Sequence, residues 1–214
     1  MFEQNEDYKL TRWGEFNILT VLLADFYKID HVRQYPAGIT KVYSNWTPRK
    51  SRVEGIDKVV HFGLQYFIIK YLIREFNLNF FDRPIEDVLD EYRRVIEATL
   101  GIKTPPVQHL IDLHALGYLP LTIYSLPEGT SCNINVPSVV ITNTTDDTFW
   151  LPNFIETILS TSLWVPSTSA TTALQFRKVC MKYAKESGER DFSFVDYQCH
   201  DFSMRGMGGL EDAI

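Results

Sequence analysis

One stretch constrains the fold more than any other, "RPIEDVLDEYRRVIEATLG". Pro84 sits where the first turn of a helix tolerates proline, and Gly101 falls just past the point where the helix stops. Between them, Ile85, Val88, Leu89, Tyr92, Val95 and Ile96 share one face at helical spacing. An apolar stripe of that width must be covered by other elements, so the chain needs a packed core around it. "PPVQHLIDLHALG" repeats the logic on a shorter scale and ends at Gly117.

The remaining chain supplies material for that core. Asn17 is placed to cap a buried helix through "ILTVLLADFYKIDH". The turn at Pro36 and Gly38 leads to a strand in "ITKVYSNW". A second apolar helix is expected from about Lys58 to Phe76. From Tyr118 to Thr145, Val, Ile, Thr and Pro with turn residues predict several short strands. Two helices follow, in "WLPNFIETILSTSLW" and in "ATTALQFRKVCMKYAKESG", the second stopped by Gly188. "DFSFVDYQC" reads as a buried strand leading into the loop "HDFSMRGMGG". No repeat or low-complexity segment interrupts the chain, and no clean linker marks a separate second domain.

Of the 214 residues, 45% are hydrophobic and 22% charged, an ordinary globular balance. The net charge of −6 argues against general nucleic-acid binding, yet leaves room for a local cationic pocket. Cys132, Cys180 and Cys199 are odd in number and form no CxxC, so they read as reduced thiols of a cytosolic protein. The acidic start "MFEQNEDYKL" lacks the character of a signal or transit peptide. "VVHFGLQYFIIKYLI" is too short and too polar to span a membrane.

Three places can carry chemistry, and each has a plain structural alternative. Gly206, Gly208 and Gly209 follow the expected strand and suit either a phosphate cradle or a flexible turn. GxGxxG fails at Glu211, and no P-loop is present, but His200, Asp201, Phe202 and Arg205 gather at the same place. Arg49, Lys50 and Arg52 beside Trp46 suit a phosphate or a solvated basic loop. Asp25, Tyr27, Lys28, Asp30 and His31 form either a hydrogen-bond network or part of a site. Ser167, Thr168, Ser169, Thr171 and Thr172 can cap and cross-link helices. Zinc spacing among the five histidines is absent, as is GxSxG or a Cys–His nucleophile pattern.

Read together, "ADFYKIDHVRQYPAGITKVYSNWTPR", "HFGLQYFIIKYL", "LPLTIYSLPEGT", "FWLPNFIETIL", "WVPSTSAT" and "HDFSMRGMGGLEDA" resemble the nicotinamide phosphoribosyltransferase family, in that order. The resemblance runs from about Asn17 onward, and "DFYKIDHVRQYP" resembles the nicotinamide-using branch. It implies an α+β fold: an N-terminal α+β domain over residues 1–189, then the first strand and loop of a truncated α/β barrel over 190–214. It implies transfer of phosphoribose from PRPP to the ring nitrogen of nicotinamide, giving nicotinamide mononucleotide and pyrophosphate in NAD salvage. Mg²⁺ would act on the phosphates, and ATP would couple to the complete enzyme.

The resemblance further implies a cytoplasmic homodimer with sites at the subunit interface. Phe202 would stack on one face of nicotinamide, and Tyr27 of the second subunit on the other. Arg205 would hold the ring's neighbourhood and the ribose phosphate side, with Asp25 near the same pocket. Arg49 and Lys50 would bind phosphate or pyrophosphate. No nucleophilic side chain is required, because cations on the leaving pyrophosphate carry the reaction. The family chain is about twice as long. Its "GTD"-type segment, its phosphorylated histidine and most PRPP loops are not in this sequence, so this chain is expected to be an inactive N-terminal portion on its own. Two alternatives stand beside it: a non-catalytic dimerisation fragment, and a small anion-binding module.

Overall fold

A computed structural model describes residues 18–51 and 53–209. Asn17, Arg52 and Glu211 lie outside them. The elements are α1 (His31–Gln34), β1 (Tyr43–Trp46), β2 (Lys58–Val60), α2 (Leu64–Phe67), α3 (Ile85–Leu100), α4 (Gln108–Leu116), β3 (Leu121–Ser125), β4 (Ser131–Asn133), β5 (Val139–Asn143), α5 (Leu151–Phe154) and α6 (Glu156–Glu186). Short 3₁₀ turns fill several connections. One sheet has the order β1-β5-β3, and β2 pairs with β4 in a second. No helix among the described residues is long and apolar enough to cross a membrane.

The chain divides into two compact units. The first holds the described residues up to Ser44, then Gln65–Ile123 and Ile141–Leu159. Its core is built on α3 as the stripe requires. Val88, Leu89, Tyr92 and Ile96 are buried, while Ile85 and Val95 are half covered. Gly101 and Gly117 close α3 and α4 in left-handed backbone, φ +69° and +73°. Phe80 meets Phe76 and His114 edge-on, and His109 meets Trp150 edge-on at 4.8 Å.

α2 continues as a π-helix over Ile68–Glu75 and again over Asn77–Phe81. The wider winding shows in Phe76 N–H donating to the Tyr71 carbonyl and in Asp82 N–H donating to that of Asn77, five residues back. This helix starts at Leu64 rather than Lys58, because Val59 pairs with Cys132 in the β2–β4 ladder. Gly63, at φ +102°, then turns the chain.

The second unit comprises Asn45–Leu64, Tyr124–Val140 and the described residues from Ser160. Here the hydroxyl run of α6 does what its residue types allow. Thr171 Oγ1 accepts from Val60 N–H at 2.9 Å. Ser167 Oγ accepts from Phe62 N–H at 3.2 Å and donates to the Phe62 carbonyl at 3.0 Å. Gly63 passes so close that a Cβ there would lie 3.1 Å from the Pro166 ring and the Ser162 carbonyl.

Four further expectations need correction. The apolar stretch after Ile18 is not one helix. Leu19 and Asp25 take extended backbone, ψ 112° and 128°, leaving 3₁₀ turns at Thr20–Leu22 and Phe26–Asp30. The strand expected near Thr40 begins only at Tyr43. The Asn143 carboxamide takes the Val42 N–H and donates to the Thr40 carbonyl, in place of a neighbouring strand. The two helices expected after Trp150 are the one-turn α5 and the 31-residue α6, which carries Pro166 inside it.

The fourth correction concerns "DFSFVDYQC", expected as the first barrel strand. Ser193–Tyr197 is a 3₁₀ turn, and most of the segment is exposed. Asp191 accepts from Ser193 N–H at 2.9 Å and from its hydroxyl at 3.0 Å, which closes a local turn. No strand among the described residues pairs with the segment, and an unpaired strand has no ladder to hold it.

Candidate functional site

In the first unit, Asp25 and Tyr27 share one turn. The turn is fastened to the start of α6 and the end of α5 by polar groups, of which Lys28 alone is fully buried. Asp25 N–H donates to Thr157 Oγ1 at 3.1 Å, and that hydroxyl donates back to Asp25 Oδ2 at 2.9 Å. Lys28, 2% exposed, donates to the Asn153 carbonyl at 2.9 Å and to Glu156 Oε2 at 2.6 Å. Burial of an ammonium is costly unless paired and hydrogen-bonded, and both conditions are met.

The inward Lys28 turns its neighbour outward. Tyr27 is 60% exposed, with its ring 5.1 Å from the His31 ring and 5.4 Å from Lys28 Nζ. Its faces are thus supported at one edge and open elsewhere. Asp30 accepts from Arg33 and Gln34, which holds its carboxyl below the usual range.

In the second unit, Phe202 and Arg205 share a 3₁₀ turn, Ser203–Gly206, for which Phe202 is the preceding residue. Asp201 Oδ1 accepts from Ser203 N–H at 2.7 Å, the same device used at Asp191, and the Ser203 hydroxyl together with that N–H holds its carboxyl low. Phe202 is 77% exposed, and Arg205 is exposed beside it. Arg49 and Lys50 stand exposed on a loop whose two ends are pinned. Asn135 N–H donates to the Pro48 carbonyl at 2.7 Å, and Ser51 Oγ accepts from Val53 N–H at 3.0 Å. Neither cation pairs with a carboxylate among the described residues.

Taken separately, the first unit offers the open ring of Tyr27, and the second offers the ring of Phe202 and exposed cations. A planar neutral ring is held well between aromatic faces, and guanidinium groups grip phosphate oxygens. Among the described residues, no three His, Cys, Asp or Glu side chains gather to hold a metal ion.

Sequence reasoning missed Asn153, Glu156 and Thr157, treating "WLPNFIETIL" as a packing element. The available signal was the adjacent polar pair Glu156 and Thr157 in an otherwise apolar stretch, whereas Asn153 takes Lys28 through its carbonyl, which no side-chain pattern marks.

Comparison with known proteins gives the family. The family model described as nicotinamide phosphoribosyltransferase, N-terminal domain, matches residues 17–123, half of the chain. A nicotinamide phosphoribosyltransferase of Acinetobacter baylyi is 45% identical over 203 residues, covering 92% of this chain and 40% of its own length. One from Mycoplasma genitalium is 28% identical over 226 residues, covering 96% and 48%. The chain therefore spans somewhat less than half the length of these relatives. A crystal structure of human nicotinic acid phosphoribosyltransferase shares the fold with a TM-score of 0.54 at 20% identity, over 74% of this chain and 28% of that one. The mixed α and β architecture agrees with that likeness. The chain belongs to the nicotinamide phosphoribosyltransferase family, matching its N-terminal domain.

Proposed function

We propose that this chain is the N-terminal portion of an enzyme that transfers phosphoribose from PRPP to the ring nitrogen of nicotinamide. Nicotinamide mononucleotide and pyrophosphate are the products. The observation that carries this reading is the 45% identity to a nicotinamide phosphoribosyltransferase across nearly the whole chain. The uncovered rings of Tyr27 and Phe202 and the exposed cations support it.

Phe202 takes one face of nicotinamide, and Tyr27 of a second subunit takes the other. Asp25 borders the pocket, and Arg205 lies toward the ribose phosphate. Arg49 and Lys50 receive phosphate or pyrophosphate. As pyrophosphate leaves, negative charge builds on its oxygens, and these cations stabilise it. Mg²⁺ would arrive with PRPP on its phosphate oxygens and add positive charge there. Residues 190–209 lead toward a barrel supplied by the remainder of the longer protein. A non-catalytic dimerisation fragment is disfavoured, because the relatives are named as enzymes.

The test is to assay nicotinamide mononucleotide formation by this chain alone, and by this chain joined to the C-terminal region of the Acinetobacter baylyi relative. The expected result is no product alone and turnover when joined. A joined protein that folds and converts no nicotinamide would overturn the substrate assignment. Robust turnover by the chain alone would overturn its reading as a portion.

A further inference from the structure

The second unit brings two thiols together. Cys180 of α6 and Cys199, in the connection between the two 3₁₀ turns, have their Sγ atoms 3.5 Å apart. Cys199 is exposed and Cys180 half-buried, while Cys132 is buried in β4. An ion pair holds the same two segments in register: Arg177 Nε donates to Asp196 Oδ1 at 2.8 Å. Both pairs join residues 19 apart, so one face of α6 presents Arg177 and then Cys180 to Asp196 and then Cys199. Cys199 also takes a left-handed backbone, φ +59°, which a cysteine rarely adopts.

We propose that Cys180 and Cys199 form a reversible intramolecular disulfide, closed by a peroxide, that fastens the start of the Phe202–Arg205 segment to α6. The sulfurs sit at thiol contact distance, and the bond brings them from 3.5 Å to about 2.0 Å. One thiolate attacks a peroxide oxygen and becomes a sulfenic acid, releasing hydroxide that is protonated to water. The second thiolate attacks that sulfur, forms the S–S bond and expels the second oxygen as water. In balance, two thiols and one hydrogen peroxide give one disulfide and two waters. A thiol reductant reverses it by exchange. In the reduced chain the shared hydrogen bond keeps the Cys199 thiol protonated to higher pH than usual, so closure quickens as pH rises.

The test needs no substrate, so its outcome is independent of the enzymatic reading. The chain is treated with hydrogen peroxide, alkylated under denaturing conditions, digested and mapped by mass spectrometry. The expected result is a Cys180–Cys199 linked peptide with Cys132 still alkylated, reversed by dithiothreitol. Amide exchange of residues 200–206 slows on closure. Arg177→Ala, which keeps both thiols, closes several-fold more slowly. In Cys180→Ser, Cys199 stops at a sulfenic acid that dimedone traps. Oxidation of the two cysteines to separate sulfinic acids would overturn the proposal, as would cross-links between chains or a bond to Cys132.

Discussion

Lys28 Nζ lies 2.6 Å from Glu156 Oε2 and 2.9 Å from the Asn153 carbonyl, at the bottom of the turn that holds Tyr27 outward. The two partners differ in exposure, since the Glu156 side chain is 61% accessible. Lys28→Ala leaves the Asn153 carbonyl without this donor and opens a cavity under the turn, so it is expected to cost about 2–4 kcal/mol. Glu156→Gln keeps an acceptor in water and should cost under about 1 kcal/mol. Urea unfolding midpoints of the two variants separate these effects, and equal losses would contradict the burial argument.

Gly63 meets two demands at once: a positive φ of 102° and a close approach to Pro166. Gly63→Ala is expected to destabilise the chain by about 2–3 kcal/mol, through strain and the displaced ring. Gly101→Ala has open space at φ +69° and should cost only about 1 kcal/mol. Thermal melts of both variants check the difference.

Burial against Trp150 pushes the His109 imidazole down to about 4, although Asp112 opposes the shift. The unfolded chain binds a proton at this residue near its ordinary value of about 6.5. Between those values the unfolded state holds more protons, so stability rises with pH. The stabilisation is complete above about pH 6.5 and lost as pH falls toward 4, by about 3 kcal/mol. His61, fully buried and also held low by burial, adds in the same sense. Denaturation from pH 4 to 7 should show this slope, and His109→Phe should remove the larger part of it.

Much of the first unit was legible because punctuation and periodicity agreed. Pro84, Gly101 and Gly117 bracket α3 and α4, and the stripe names the buried face. The short strands after Tyr118 were legible from β-branched residues between turn signals. Where apolar density stood alone, it misled: Leu19 is buried in extended backbone and Val21 on the 3₁₀ turn after it, rather than along a helix. The repeated "DFS" at 191–193 and 201–203 is a local signal that outweighs the apolar run after it, since each aspartate caps a turn. The uncovered rings of Tyr27 and Phe202 were reached through resemblance, while the clamp of Lys28, Asn153, Glu156 and Thr157 emerged only from the fold, because its members lie about 125 residues apart in sequence.

The central claim is that Tyr27 and Phe202 grip nicotinamide from two subunits. It is tested most directly by mixing Tyr27→Ala and Phe202→Ala forms of the joined protein and measuring nicotinamide mononucleotide formation. Each variant alone should lose about 100-fold in kcat/KM through the missing ring contact. After exchange of subunits, half of the dimers are mixed and carry one intact site of two, so about one quarter of the unaltered activity should return. Single variants that keep full turnover would contradict the ring assignment, and a mixture with no recovery would contradict the sharing of the site between subunits.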